Sequence, residues 1–180
     1  MAHQKIINAI ADAYLADTRT RLLHSVNWLE KHTESPIEVI LGLRLLVLLR
    51  SGDGLNLAFN KWDDIGAQLL RDSLIYNATN LAIVPQFNIG RYRIDFVVVY
   101  GIDGSLKKVA IECDGHEFHE RTKEQARRDR SRDRFLQSQN IPVFRFTGSE
   151  IFGNAPDLLE TLGAYLWGQI NGWGGANDAA

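Results

Sequence analysis

Between Tyr92 and Asp114 the chain reads YRIDFVVVYGIDGSLKKVAIECD, two β-branched runs joined by Asp103-Gly104. Asp-Gly between alternating apolar residues is a strong two-residue hairpin signal, because both residues tolerate positive φ. No other stretch constrains the fold as much. A two-residue turn sets the register: Ile102 faces Ser105, and in a regular ladder Asp95 faces Glu112. Side chains alternate, so Asp95, Val97 and Val99 share a face with Ala110, Glu112 and Asp114. That face is apolar near the turn and acidic at its far end. Directly opposed carboxylates repel, and a folded protein keeps such a trio by raising a pKa or by holding a cation. Hard oxygen ligands of this kind suit Mg²⁺ or Mn²⁺. The competing reading is an exposed hairpin whose acids keep it soluble. Val97, Val99 and Ala110 argue against it, since they bury the same face.

At 180 residues with 45% hydrophobic content, one domain with a helical appendage is expected. The best apolar run, Val39 to Leu49, is interrupted by Arg44, so no membrane span is expected. A single cysteine, Cys113, excludes an intrachain disulfide framework and a cysteine-based zinc cage. With no secretory-signal pattern at the N-terminus, a cytosolic protein is the simplest reading. The formal net charge of -2 means that any nucleic-acid contact has to come from a local basic patch.

Residues 4–31 read as helix in two pieces, with Ile6, Ile7, Ile10 and Tyr14 on one stripe and Leu22, Val26 and Leu29 on another. Ser35-Pro36-Ile37-Glu38 opens a further helix: Ser35 is a good N-cap, Pro36 suits the first helical position, and Glu38 completes a capping box. Another helix is expected from about Asp63 to Tyr76. Leu81 to Ile89 reads as a strand, with Pro85 marking an edge or a bulge. After the hairpin come a charged helix from His119 to Gln139 and a strand from Ile141 to Phe146. Ser149 is expected to cap a last helix running to about Gln169. Strand, helix, strand after Asp114 makes a parallel crossover unit, so the sheet is mixed, with helices on both faces.

In combination, several segments resemble the PD-(D/E)XK nuclease superfamily, and within it the very-short-patch-repair-like branch. They are SPIE at 35–38, Gln86, YRIDF at 92–96, IECDGHEFH at 111–119, RRDRSRDRFL at 127–136 and IPVFRF at 141–146. The resemblance spans roughly Ser35 to Glu150. It implies an α/β, restriction-endonuclease-like mixed β-sheet flanked by helices, with an N-terminal helical extension. The implied division is an extension over 1–34, a nuclease domain over 35–170 and a flexible tail over 171–180. It also implies a metal-dependent endonuclease acting on DNA, with RNA and the oligomeric state left open, a homodimer among the options. The alternative is a degenerate module of the same fold that binds nucleic acid or a protein without cutting.

By that likeness Asp95 and Glu112 match the metal-binding acids, and Glu38 the glutamate supplied from the preceding helix. The name-giving lysine is replaced here by Asp114, which would bind metal or polarise water. The backbone carbonyl of Cys113 is a further candidate metal ligand. In the related branch histidines follow in a DG-x-x-x-H segment, which makes His119 a candidate general acid or phosphate contact. His116 is a weaker one, since His-x-x-His alone does not specify a metal site. Arg91, Arg93, Lys123, Arg127, Arg128 and Arg130 are candidate phosphate contacts, and Lys123 or Arg127 would stand in for the lysine. An ion-paired solvated helix face is the plainer reading of that arginine run. Glu38 is likewise explained by capping alone.

Overall fold

A computed structural model describes residues 2–50, 57–59, 81–102, 105–114, 123–153 and 158–170. Five strands form one sheet in sequence order: β1 (Leu57–Phe59), β2 (Leu81–Ile89), β3 (Tyr92–Ile102), β4 (Ser105–Asp114) and β5 (Val143–Thr147). The helices are α1 (Ala2–Leu29), α2 (Pro36–Arg50), α3 (Lys123–Ser138), α4 (Gly148–Phe152) and α5 (Glu160–Ile170). β2, β3 and β4 pair antiparallel, whereas β1–β2 and β4–β5 pair parallel. The sheet is therefore mixed, as the crossover argument expects.

Each face of the sheet has its own apolar layer. Leu41, Leu45 and Leu49 of α2 and Leu159, Leu162 and Leu166, the last two on α5, pack with Leu81, Ile83, Phe96, Val98 and Ile111. On the other face Phe135 and Leu136 of α3 pack with Ala82, Val84, Val97, Val99 and Ala110. Burial on both sides explains why β3 is apolar at nearly every position. Val97, Val99 and Ala110 do share one face, as the alternation requires.

Asp103 and Gly104 lie outside the described residues, but Ile102 pairs with Ser105, so the hairpin has its expected register. α3 ends at the predicted place for a visible reason. Asn140 adopts φ 55°. Its N–H bonds to the Gln137 carbonyl at 3.0 Å, and Ile141 N–H to the Leu136 carbonyl at 3.0 Å. This is a Schellman stop, with asparagine in the left-handed position usually taken by glycine. It turns the chain straight into β5.

Two expectations need correction. The N-terminal region is one helix, α1, rather than two. Between the two stripes, over residues 15–21, there is no Gly or Pro to break the helix. The polar residues there bond back to the helix: Thr20 Oγ1 donates to the Ala16 carbonyl at 2.9 Å and Ser25 Oγ to that of Arg21 at 3.0 Å. The last helix is not capped by Ser149. Thr147 caps α4, its side chain accepting from the Glu150 N–H while the Glu150 carboxylate accepts from the Thr147 N–H. Gly153 ends that helix, its N–H bonding to the Ser149 carbonyl at 2.9 Å, and α5 begins only at Glu160. The expected helix over 63–76 lies outside the described residues.

The β2–β3 turn ties the sheet to α3. Ile89 pairs with Tyr92, leaving Gly90-Arg91 as a two-residue turn. Gly90 has φ +59°, and a Cβ there would lie 2.6 Å from Phe135 Cζ. A side chain would be strained by its backbone and would also drive into the ring. Gly90→Ala is expected to lower stability by about 1–3 kcal/mol, read as a shifted midpoint in urea unfolding. A midpoint at or above that of the wild type would refute this account of the turn.

Candidate active site

The site forms where regular pairing gives way. In β2 and β3 the residues packed against α3 are Ala82 and Val84, then Phe87 and Ile89, and on the partner strand Val99 and Val97, then Ile94. Both strands thus shift their inward parity by one. The shift falls at Gln86 and Asp95, the one position missing from an otherwise continuous register. Gln86 adopts φ 50°, directly after Pro85. Proline cannot donate to a ladder, and a left-handed residue next to it rotates the strand.

The β3–β4 ladder ends at Phe96 paired with Ile111, while β4 runs on beside β5 to Asp114 paired with Thr147. Asp95 and Glu112 are therefore not a ladder pair, as a regular hairpin would make them. Instead the Asp95 carboxylate reaches across the opening, and its Oδ2 accepts the Cys113 N–H at 2.8 Å. A side chain has replaced a backbone acceptor, which holds the carboxylate between the strands.

Three acids meet here. Burial first, with the nearby charges of Glu38 and Glu112 acting in the same direction, pushes the Asp95 carboxyl up to about 6 against the opposing Cys113 N–H and Arg132. Glu38 and Glu112 are only 7% and 3% exposed, the two buried charged residues among those described. Glu38 holds the start of α2, and its charge also acts on Asp95. Its Oε1 accepts from Ser35 Oγ at 2.7 Å and its Oε2 from the Glu34 N–H at 3.0 Å, which secures the start of α2. The same Oε2 accepts from Gln86 Nε2 at 2.7 Å, which ties that helix start to the kink in β2. The cap places the acid at the site.

Glu112 is held differently. Its Oε2 accepts from Arg145 Nε at 2.9 Å, and its Oε1 lies 3.0 Å from Arg132 NH1. Arg145 stands opposite Glu112 in the β4–β5 register, and its NH1 and NH2 donate to the Asp133 carboxylate of α3. Asp133 is held below the usual carboxylate range, chiefly by that hydrogen bond. Strand β4, strand β5 and helix α3 are joined through this one network.

The other predicted residues divide clearly. Asp114 ends β4, half-buried and in register with Thr147. Cys113 packs against the α2–α5 layer, and burial pushes its thiol up, so it is a core side chain. His116 and His119 lie outside the described residues. Arg91 is exposed, donating to Tyr92 Oη at 2.7 Å and to Ser131 Oγ at 3.3 Å. Arg93 is exposed and ion-paired with Glu34. Lys123, Arg127, Arg128 and Arg130 are exposed on α3. The cation that α3 sends to Glu112 is Arg132, three and four residues before Phe135 and Leu136 on the buried face of the helix.

Arg145 and the bridging role of Gln86 were not singled out from sequence, and Arg132 was not distinguished from the rest of the arginine run. A cation in phase with the apolar residues of a helix, and one inside a short β-branched strand, are the signals that could have found them.

Among the described residues no three His, Cys, Asp or Glu side chains are grouped so as to hold a metal ion. The chemistry of the donor set nonetheless fits a hard cation. Mg²⁺ is commonly held by one or two carboxylates with water completing its shell, and the excess negative charge felt by Asp95 is what a cation would relieve.

Compared with known proteins, residues 72–166, just over half of the chain, match the family model REase_MTES_1575, which is restriction-endonuclease-like. Searches of curated proteins and of solved structures gave no match. No described helix is long and apolar enough to cross a membrane.

The raised pKa of Asp95 gives a pH signature. Ionising this carboxyl costs more in the fold than in the unfolded chain. Its stabilising contribution is complete below about pH 4, the unfolded value, and is lost as pH rises through about 6. Asp95→Asn keeps an acceptor for the Cys113 N–H and removes the charge. The variant should match the wild type near pH 4 and become the more stable of the two above pH 6, by a few kcal/mol, at about 1.4 kcal/mol per tenfold change in affinity for the proton. Urea midpoints across pH 4–8 would show it. A constant difference over that range would contradict the buried, charge-crowded position of Asp95.

Proposed function

We propose a function from the premise that this chain belongs to the REase_MTES_1575 family of restriction-endonuclease-like proteins: it is a nuclease that hydrolyses phosphodiester bonds in DNA, using Mg²⁺ or Mn²⁺ at Asp95 and Glu112. The observation that carries this reading is the Asp95 carboxyl, raised to about 6 by burial and by Glu38 and Glu112 beside it. A pure scaffold gains nothing from directing acids of α2, β3 and β4 toward one another, whereas a cation-dependent hydrolase needs them. Within the fold, Asp114-Gly115 followed by His119 favours a very-short-patch-repair-like arrangement.

Hydrolysis forms a bond from a water oxygen to phosphorus and breaks the bridging P–O bond. One proton leaves the water for a site carboxylate, and one reaches the departing oxygen. A bound divalent cation would neutralise phosphate charge and lower the pKa of water. The chain's own groups supply the rest. The Cys113 N–H fixes the Asp95 carboxylate, Gln86 and the α2 cap fix Glu38, and His119 is assigned the proton for the leaving oxygen. The exposed arginines of α3 are assigned to the DNA backbone, which binds basic side chains by counterion release.

A second reading has its own support. Glu112 is already compensated by two arginines, as in a module that has kept its fold and lost its chemistry, and Asp114 stands where the motif has lysine. Plasmid cleavage separates the two. With Mg²⁺ or Mn²⁺ the wild type should give relaxed or linear product, and Asp95→Asn and Glu112→Gln should each abolish it while keeping DNA binding. Each cation should also raise the wild-type melting temperature by mass action, and less so in Asp95→Asn. No cleavage and no thermal shift in either metal would favour the binding module.

Glu38→Gln tests the third acid. Glutamine can still accept from the Glu34 N–H and from Gln86, with the Ser35 hydroxyl turned to accept from its amide. The melting temperature should therefore hold while cleavage falls, by about 10²–10⁴-fold if the lost group handles a proton. Full activity in this variant would leave Glu38 a helix cap.

A further inference from the structure

Resting on the nuclease reading, we propose that Arg132 is the site's phosphate-contacting cation, the group that supplies the positive charge missing at Asp114, whereas Arg145 is a positioning residue. The two arginines on Glu112 look equivalent and are not. Arg145 is engaged through Nε, NH1 and NH2, with aligned hydrogen bonds to Glu112 and Asp133. It sits on a strand, opposite its partner in register. Arg132 is ion-paired to the same carboxylate but is held by fewer contacts. Its NH1 is 3.0 Å from Glu112 Oε1, yet that oxygen has no aligned hydrogen-bond donor. Its NH2 is 4.0 Å from Asp129, beyond hydrogen-bonding distance. Its Nε is buried with no hydrogen-bond partner among the described residues.

A buried donor without a hydrogen bond, beside a carboxylate oxygen met only by an unaligned ion pair, is a costly arrangement. It occurs here on a carboxylate only 3% exposed, between the kinked strands and α3. A third unsatisfied atom, Gln86 Oε1, lies on the residue that holds Glu38. These groups suit a ligand that brings both acceptor oxygens and charge. A guanidinium presents five N–H groups in a planar fork matched to phosphate oxygens. With a side chain 28% exposed, Arg132 can turn from Glu112 to an entering phosphate without leaving the buried face of α3. Arg145 cannot do so without breaking the β4–β5–α3 network. The exposed arginines of α3 can bind the DNA backbone but do not reach Glu112 in this structure.

The test combines binding and turnover. Affinity for a short duplex oligonucleotide is measured against salt in the presence of chelator, and cleavage is measured separately with Mg²⁺. Arg132→Gln should reduce the slope of log affinity on log salt by about one, the mark of one lost phosphate contact. It should lower kcat by about 10²–10³-fold, as when one preorganised transition-state donor is removed, and raise KM as well, since the contact is already made in the bound duplex. Arg132→Lys keeps the charge and should restore the salt slope and part of kcat. Arg145→Gln should instead lower the melting temperature and leave the salt slope as in the wild type. An unchanged slope in Arg132→Gln overturns the proposal, and so does an Arg145→Gln slope that falls equally, because the pair would then act as one structural unit. A wild type that does not cleave overturns the nuclease reading alone, since the slope still decides whether Arg132 meets a phosphate.

Discussion

Glu112 is a carboxylate almost wholly removed from water at the end of a core strand, and the neighbouring structure is arranged around keeping it there. A lone buried charge of this kind costs several kcal/mol. Arg145 meets it from the adjacent strand and Arg132 from the helix above. Asp133, the next residue on that helix, then holds Arg145. The ion network fixes the rotation of α3 about its axis, and the apolar contacts of Phe135 and Leu136 follow from that rotation. Removing one member of a buried ion pair typically costs about 3–5 kcal/mol. The network is therefore structural first, whatever chemistry it supports.

The second constraint is the coupled kink at Gln86 and Asp95. A flat antiparallel ladder would give the Asp95 side chain no reason to enter the space between strands. The parity shift, begun by Pro85 and the left-handed Gln86, frees the Cys113 N–H, and Asp95 takes it. The same Gln86 side chain reaches Glu38. One local distortion thus brings together an acid from a helix cap, an acid from β3 and an acid from β4. Burial first, and the charges of Glu38 and Glu112 with it, raise the pKa of Asp95.

These origins explain what could be read from the sequence. The hairpin register, the mixed sheet, the stop at Asn140 and the start at Pro36 depend on local chemistry: turn residues, caps and period-two burial. They are legible because few neighbours are needed to enforce them. The single α1 helix was less so, since two separate apolar stripes look like two helices when nothing between them forms a break. Within the site, Glu38 reads from the residues as a helix cap and as a site acid only through the resemblance, whereas Asp95 and Glu112 stand out by residue type and spacing. The kink does not, because alternation from the turn predicts a regular pair, and the departure needs both strands to shift together. Arg132 is one arginine among several in a run of charged or polar residues at 127–134. Only its phase relative to Phe135 and Leu136, meaningful once the helix is seated on the sheet, separates it from the solvated arginines beside it.

Glu112 has two oxygens, and in this structure both face guanidinium groups. If a divalent cation binds at Glu112, it competes with at least one of them. Arg145 is the harder to displace, because it would leave both Glu112 and Asp133 behind. Arg132 has no aligned hydrogen bond to lose there. An entering phosphate gives Arg132 a new partner and thereby makes Glu112 more available to the cation. By linkage, a cation on Glu112 releases Arg132 toward the phosphate by the same free energy. Substrate and metal would then each favour the other through one side chain, without a change in backbone. In the absence of both, Arg132 and Arg145 stabilise the site in place of the cation. This accounts for a site that shows no three-acid cage among its described residues and still presses on Asp95 as a cation-binding site would.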